Sequence, residues 1–219
     1  MNAKLTKGLY GMVAIAALSL ALPAASSSVQ EPQLPGLDAV LPQLREGGFV
    51  VYLRHAATDL SGPTDEEADM SRCETQRNLS AAGRTQAIAI GEAWRELGIP
   101  VATVLTSPFC RCKDTAKLAF GHFQIKEKLY FSIGFSKDLT ERQSAELRKM
   151  LGTPPAKGSN TVIVSHTANL RGATGIWPKP EGVAYVFKVL PAGEFLAVAR
   201  IAAEDWTAGK DRPSTVKTK

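Results

Sequence analysis

The feature that most restricts the fold of this chain is an alternation of short apolar runs with longer amphipathic segments. The runs are rich in β-branched and aromatic residues, which is typical of buried strands; they are 49–53, 101–106, 161–165, 184–190 and 195–201. Helical spacing of apolar residues occurs at 37–46, 80–97 with Ser80 as N-cap, 111–120, 140–151 and 167–175. This order predicts a three-layer α/β/α sandwich with a mostly parallel central sheet. The last two strands are expected to form an antiparallel hairpin turned at 191–193.

The formal net charge of +5 over 219 residues comes from the two ends of the chain. Of the 26 basic residues, two lie in 1–28 and four in 207–219, whereas only one of the 21 acidic residues lies in either segment. The part between them therefore carries as many acidic as basic residues. A neutral body argues against a protein that binds the phosphate backbone of nucleic acid, but it allows a local basic pocket for one small anion.

Residues 1–28 have the organisation of a secretory signal peptide. Lys4 and Lys7 precede the uncharged run 9–22, and small residues follow Pro23. The run is short for a membrane span, and the alternatives are an uncleaved anchor or a buried N-terminal helix. We expect export to a bacterial periplasm or beyond, with no stable membrane span after cleavage.

The chain has three cysteines, so it can form at most one intramolecular disulfide. Cys73 is expected to pair with Cys110 or Cys112, because a Cys110–Cys112 bridge would close a very small ring. An exported protein tolerates such a bridge. The alternative is a metal site made of Cys110, Cys112 and His122, whose spacing matches no zinc template well. We expect no metal and no cofactor.

Several polar residues directly follow the predicted strands. Arg54 and His55 follow the first strand, Arg111 follows the second, and His166 follows the third. Ligands of open α/β sheets lie beyond the carboxyl ends of the strands, where these side chains would meet. Guanidinium groups suit phosphate oxygens, and a neutral imidazole is a nucleophile near physiological pH. The set predicts phosphoryl transfer, and the unusually long loop 56–79 predicts a functional rim.

Four blocks of the sequence resemble motifs of the histidine phosphatase superfamily, the phosphoglycerate mutase-like proteins. The blocks are Tyr52-Leu53-Arg54-His55-Ala56, 79–87, 106–116 and Val164-Ser165-His166, and they occur in the order of the family. The resemblance covers about 49–201 and implies the phosphoglycerate mutase-like fold. It also implies that His55 is the nucleophile that becomes phosphorylated. Arg54, Arg111 and His166 would surround the phosphoryl group, a protonated His166 adding positive charge.

The chain departs from this family pattern in two respects. Ala56 stands where the family has a glycine after the histidine, which is harmless if its φ is negative. The general acid that protonates the leaving oxygen is not marked by any motif; the candidates are Asp59, Glu127, Asp138, Glu141 and Glu181. A missing acid would slow the cleavage of alkyl phosphates more than that of aryl phosphates.

The sequence therefore predicts an exported, metal-independent histidine phosphatase that hydrolyses a small phosphomonoester through a phosphohistidine. Its domain would occupy 29–206, followed by a disordered basic tail at 207–219. The alternative is a catalytically weak or inactive anion-binding envelope protein on the same fold. A mutase or a phosphohistidine-protein phosphatase is disfavoured, because export separates the protein from glycolytic substrates and from cytoplasmic signalling partners. Thr167, Asn169 and Arg171 open the helix after His166, where they would either touch an anionic substrate or cap the helix.

Overall fold

The structure, a computed structural model, describes residues 33–208 except 67, 132, 133 and 135. The strands are β1 (Phe49–Arg54), β2 (Val101–Thr106), β3 (Gln124–Ile125), β4 (Asn160–Ser165), β5 (Ala184–Val189) and β6 (Phe195–Ile201). The helices are α1 (Leu37–Glu46), α2 (Ala81–Glu96), α3 (Cys110–Phe120), α4 (Lys137–Leu151), α5 (Thr167–Thr174) and α6 (Ala203–Ala208). Of the helices in these residues, none has the length and apolar character needed to cross a membrane. The predicted signal peptide lies outside the described residues.

The six strands form one sheet in the order β3-β2-β4-β1-β5-β6. The first four strands of this order run parallel, and β5 runs antiparallel to both β1 and β6. The β5–β6 hairpin turns at Pro191–Gly193, as the sequence predicted. The order places β1 and β2 on either side of β4, so the carboxyl ends of these three parallel strands lie next to one another.

Helices cover both faces of the sheet, as alternate residues of β1 illustrate. Val51 and Leu53 belong to the apolar core that includes residues of α1, α2, α3 and α6. Val50 and Tyr52 belong to the core on the opposite face, which includes residues of α4 and α5. A strand that is buried on both faces is apolar at consecutive positions, and β1 could be recognised in the sequence for this reason. The predicted α/β/α sandwich is therefore confirmed.

The start of α2 packs against the segment that follows the Arg-His motif. Ser80 caps the helix by accepting a hydrogen bond from the Gly83 N–H (3.0 Å), as the sequence predicted. The Ser80 N–H donates to the carbonyl of Ala57 (3.0 Å). A Cβ atom at Gly83 would collide with the same carbonyl oxygen, so only glycine allows this approach. The helix start thereby fixes the backbone just beyond His55.

Three elements differ from the sequence prediction, one of them the two-residue strand β3, which was not predicted. Helix α4 begins at Lys137 rather than at residue 140, because the Ser136 hydroxyl accepts the Leu139 N–H and caps the helix earlier. Helix α6 was not predicted, and its fully buried Trp206 packs against Trp94 with ring centroids 5.1 Å apart. The tail predicted from residue 207 thus begins within α6, and residues 209–219 lie outside the described part.

Candidate active site

The two histidines of the sequence motifs follow neighbouring parallel strands. In the register of β1 and β4, Arg54 lies opposite Ser165, and the His55 N–H donates to the Ser165 carbonyl (3.0 Å). The rings of His55 and His166 consequently lie with centroids 5.4 Å apart, and both side chains are buried. The structure therefore brings together the two strand ends that the sequence predicted to meet.

Arg111 reaches the same place from the first turn of α3. Its side chain is fully buried, and its Nη2 donates to Nδ1 of His166 (3.2 Å). Its Nη1 donates to the carbonyl of Arg77 (3.3 Å). The guanidinium carbon lies 4.4 Å from the centroid of the Phe109 ring, a distance typical of a cation–π contact. These contacts hold a positive charge beside both imidazoles.

Arg54 is held by the segment that precedes β5. Its Nη1 donates to the carbonyl of Pro178 (3.2 Å), and its Nη2 donates to Oε1 of Glu181 (3.1 Å). The Glu181 carboxylate also accepts the N–H (2.9 Å) and the hydroxyl (3.0 Å) of Thr58 and lies 4.0 Å from Nδ1 of His55. Of the five carboxylates proposed as the general acid, Glu181 is the one that contacts this site. The other four are exposed: Asp59, Glu127, Asp138 and Glu141.

The hydrogen bonds of the two imidazoles assign opposite tautomers. Nδ1 of His55 lies 2.9 Å from the carbonyl oxygen of Ala56, which can only accept, so Nδ1 carries the proton and Nε2 does not. Nδ1 of His166 accepts from Arg111, so its proton lies on Nε2, which donates to the Ser107 hydroxyl (2.8 Å). Ala56 itself has no positive φ, so replacing the family's glycine causes no backbone strain here.

The surroundings of both imidazoles favour their neutral forms. Burial lowers the pKa of His55 and that of His166 well below the usual value, and the positive charge of Arg111 lowers both further. The protonated His166 expected from the sequence is therefore not the form that this arrangement holds. A neutral His55 with an unprotonated Nε2 has the lone pair that a nucleophile requires.

Two further buried groups support His166. The Tyr52 hydroxyl donates to the His166 carbonyl (2.6 Å), which fixes the backbone at the end of β4. The free thiol of Cys112 lies 3.6 Å from Nε2 of His166. Burial raises the pKa of this thiol to about 12, so it stays protonated at neutral pH.

A disulfide attaches the long loop 56–79 to the start of α3. It joins Cys73 to Cys110, one of the two pairings that the sequence left open. Because Cys110 is in the bridge, the alternative metal site with Cys112 and His122 is wrong. Within the part of the chain that the structure describes, no group of three or more His, Cys, Asp and Glu residues is arranged to hold a metal ion.

Two residues of this loop take part in the site although no motif marked them. Asp65 accepts from Nη1 of Arg111 (2.9 Å) and from the N–H of Arg77 (3.2 Å) through the same oxygen. Buried Gln76 accepts the N–H of Cys110 (2.9 Å) and so strengthens the attachment of the loop. The only signal in the sequence was the unusual length of the loop.

The histidines line an open cavity of about 590 Å³. Among the described residues, four cationic side chains and no carboxylate line it; the cations are Arg54, Arg77, Arg171 and Lys179. Each of the guanidinium groups of Arg54, Arg77 and Arg111 keeps a buried Nε–H that has no hydrogen-bond partner among the described residues. Buried donors without acceptors are rare, and an anion with several oxygens is the kind of ligand that would pair with them.

Comparisons with known proteins agree with this geometry. A family model, the histidine phosphatase superfamily (branch 1), matches residues 50–130. The protein histidine phosphatase SixA in complex with tungstate superimposes with a TM-score of 0.51 at 14% identity, over 72% of this chain and 98% of that chain. A mycobacterial glucosyl-3-phosphoglycerate phosphatase gives 0.52 at 16% identity, over 71% and 100% of the two chains. A phosphoserine phosphatase of Entamoeba histolytica in complex with phosphoserine gives 0.50 at 14% identity, over 72% and 98%.

These solved structures share the fold of this chain, and the matching family model contains the Arg-His motif and Arg111. Among curated proteins, no match was found. The family match and the shared fold support the superfamily that the motifs implied. Both findings also support a phosphatase as its class of enzyme.

Proposed function

We propose that this protein is an exported, metal-independent phosphatase that hydrolyses a small phosphomonoester through a phosphohistidine at His55. The observation that carries the proposal is the hydrogen bond from Nδ1 of His55 to the Ala56 carbonyl (2.9 Å). It leaves an unprotonated Nε2 in a cavity where every charged lining residue of the described part of the chain is cationic. A buried neutral nucleophile beside fixed positive charge is suited to attack on a phosphate monoester.

In the first step Nε2 of His55 attacks phosphorus and the bond to the ester oxygen breaks. The N–P bond forms as the leaving group departs with the bonding pair and takes up a proton from solvent water. The guanidinium groups of Arg54 and Arg111 neutralise charge on the three remaining phosphoryl oxygens. Their positions are set before substrate arrives, by Glu181 and Pro178 for Arg54 and by the contact with His166 for Arg111.

In the second step water attacks the phosphohistidine and the N–P bond breaks. His55 returns to its neutral form with the proton still on Nδ1, and inorganic phosphate leaves the basic cavity. His166 acts as a neutral group that fixes the Arg111 guanidinium, since Nδ1 accepts from it while Nε2 donates to Ser107. Preorganised charge of this kind is usually the largest contribution to catalysis.

Glu181 has a positioning role in this scheme rather than that of a proton donor. Its carboxylate accepts from Arg54 and from the backbone N–H of Thr58, and both of these groups can only donate. The carboxylate therefore links the guanidinium of Arg54 to the backbone that follows His55. This arrangement keeps Arg54 next to the nucleophile.

Export is supported by the signal-like composition of residues 1–28 and by the Cys73–Cys110 disulfide, since disulfides persist mainly in oxidising compartments. We place the protein in the bacterial periplasm or outside the cell, with a small phosphorylated molecule as its partner. The alternative, an anion-binding envelope protein without turnover, is favoured by one observation: Glu181, the one candidate general acid at the site, already pairs with Arg54 and the Thr58 N–H and so is not placed as a proton donor.

Hydrolysis of an aryl phosphate separates these two functions. The mature protein is assayed with and without a chelator, beside His55→Ala and the matched control His122→Ala. His122 is exposed and is the third histidine of the chain, so it controls for the loss of an imidazole. We expect turnover that survives the chelator, is abolished in His55→Ala and is unchanged in His122→Ala. Absence of turnover in the wild type, with a Tm that phosphate still raises, would establish the binding protein instead.

A further inference from the structure

The lining of the cavity includes two cations that the proposed reaction does not use. Arg171 lies in the last turn of α5, and Lys179 lies in the segment between α5 and β5. The guanidinium carbon of Arg171 is 4.2 Å, and Nζ of Lys179 is 4.6 Å, from the centroid of the same ring, that of Trp177. Two like charges are thus held close together, although the protein between its charged ends is neutral.

Neither cation is neutralised by a neighbouring carboxylate. Within the described residues Arg171 and Lys179 make no salt bridge. Glu181 lines an adjoining cavity together with Lys179, but its carboxylate pairs with Arg54. Two exposed cations beside one another repel, and contact with an aromatic ring only partly compensates for this repulsion. An anion bound in the cavity that both cations line would reduce this repulsion.

The cations are rigidly connected to the phosphoryl site. Arg171 lies on the helix whose N-cap is His166, five residues further along, which corresponds to about 7.5 Å along the helix axis. The segment that carries Trp177 and Lys179 is held by Arg54, which donates to the Pro178 carbonyl and to Glu181. Both cations therefore keep a fixed distance from the groups that surround the phosphoryl group.

We propose that Arg171 and Lys179, ordered on Trp177, form a second anion subsite and that the substrate is a phosphomonoester with a second anionic group, a carboxylate or another phosphate. This inference rests on the proposed function, because it assumes that the phosphoryl group transferred to His55 lies at the other end of the cavity. The cavity of about 590 Å³ has room for a small metabolite that spans both ends.

The test compares ligands that differ only in the second anion. Binding of butyl phosphate, 4-phosphonooxybutanoate and butane-1,4-diyl bisphosphate to the His55→Ala protein is measured by calorimetry, with chain lengths of two to six carbons in each series. We expect at least one ligand with a second anion to bind about tenfold more tightly than its alkyl phosphate, more than the statistical advantage of two equivalent ends. The carboxylate and bisphosphate series identify which anion the subsite takes.

Variants then show which residues cause the preference for a second anion. In the His55→Ala background, Arg171→Gln with Lys179→Gln should reduce the tenfold ratio to about threefold or less. The control pair Arg142→Gln with Lys157→Gln removes the same charge at exposed positions outside the cavity and should leave the ratio unchanged. Equal ratios in the two double variants, or no preference at any chain length, would overturn the subsite.

Hydrolysis of an aryl phosphate by the wild type distinguishes failure of the subsite from failure of the proposed function. Turnover without any preference for ligands that carry a second anion would support the phosphatase mechanism and refute the second anion subsite. A preference that depends on Arg171 and Lys179, without turnover of the aryl phosphate, would support the subsite and contradict the phosphatase mechanism.

Discussion

Nη2 of Arg111 lies 3.2 Å from Nδ1 of His166, and this contact fixes the protonation of the second histidine. A guanidinium can only donate, so Nδ1 must accept and cannot carry a proton. Burial is the largest cause of the lowered pKa of both His55 and His166, and the charge of Arg111 is the next. One buried arginine thus helps to keep both imidazoles in the neutral form that the proposed mechanism requires.

The stability of the protein should fall as the pH drops below about 6.5, the ordinary pKa of histidine. In the folded state the pKa of His55 and of His166 is lowered, whereas in the unfolded chain both imidazoles bind protons near their ordinary pKa. The unfolded state therefore binds more protons in this range, and acid favours unfolding.

Thermal unfolding between pH 7.5 and 5.5 measures this effect. We expect the decrease in Tm to be smaller in the double variant His55→Gln/His166→Gln than in the wild type. In His122→Gln, whose side chain is exposed, the decrease in Tm should equal that of the wild type. A decrease of the same size in all three proteins would show that other groups cause it.

Asp65→Asn should tighten the binding of inorganic phosphate by about three- to tenfold, because it removes a negative charge next to Arg111. The asparagine oxygen can still accept from Arg111 and from the Arg77 N–H, so the geometry of the loop is kept. Product inhibition of the hydrolysis of an aryl phosphate gives the affinity. Asp59→Asn is the matched control, since it removes an exposed carboxylate from the same loop. Weaker phosphate binding in Asp65→Asn would refute the claim that this carboxylate competes with phosphate for Arg111.

Replacing both Cys73 and Cys110 with serine should destabilise the protein by about 2–4 kcal/mol, because the bridge closes a long loop in the unfolded chain. The activity should fall as well, since Arg111 directly follows Cys110 and contacts the same loop through Asp65. Denaturant unfolding and kcat/KM measure the two effects. A reductant should lower the stability of the wild type and leave that of the double variant unchanged. An unchanged Tm in the double variant would exclude a stabilising role for the bridge.

Glu181→Gln should lower kcat/KM for aryl and alkyl phosphates by a similar factor of about ten to a hundred, because the substitution weakens the contacts that position Arg54. The ratio of the two rates is the informative quantity, since the loss of a general acid slows alkyl phosphates much more. Glu194→Gln, in the exposed turn between β5 and β6, is the control. A selective loss for alkyl phosphates would make Glu181 the proton donor.

The elements and the meeting of the two histidines were predictable because they depend on local patterns. Runs of β-branched residues marked the strands, and the sequence predicted α1 with the bounds that the structure has. His55 and His166 could be placed together because parallel strands present their carboxyl ends at one edge of the sheet. Arg111 was predictable for the same reason, since it follows β2, which lies beside β4.

Other parts of the site depend on contacts between irregular segments that are distant in the sequence. These segments lack the periodic spacing of apolar residues that marks a helix or a strand. Asp65 and Arg77 reach the site by the path of the loop 56–79, and Glu181 meets Thr58 across 123 residues of sequence. The choice of Cys110 over Cys112 likewise depends on which side of the first turn of α3 faces the loop. These positions follow from the tertiary packing, and no local motif encodes them.

Trapping the covalent intermediate tests the central claim most directly. The mature protein is mixed with a phosphomonoester, quenched within milliseconds under alkaline conditions that preserve phosphohistidine, and analysed by peptide mass spectrometry. The mechanism predicts one added phosphoryl group, located on His55, which is absent from His55→Ala and unaffected by a chelator. Turnover without a phosphorylated His55, or a phosphoryl group on another residue, would contradict it.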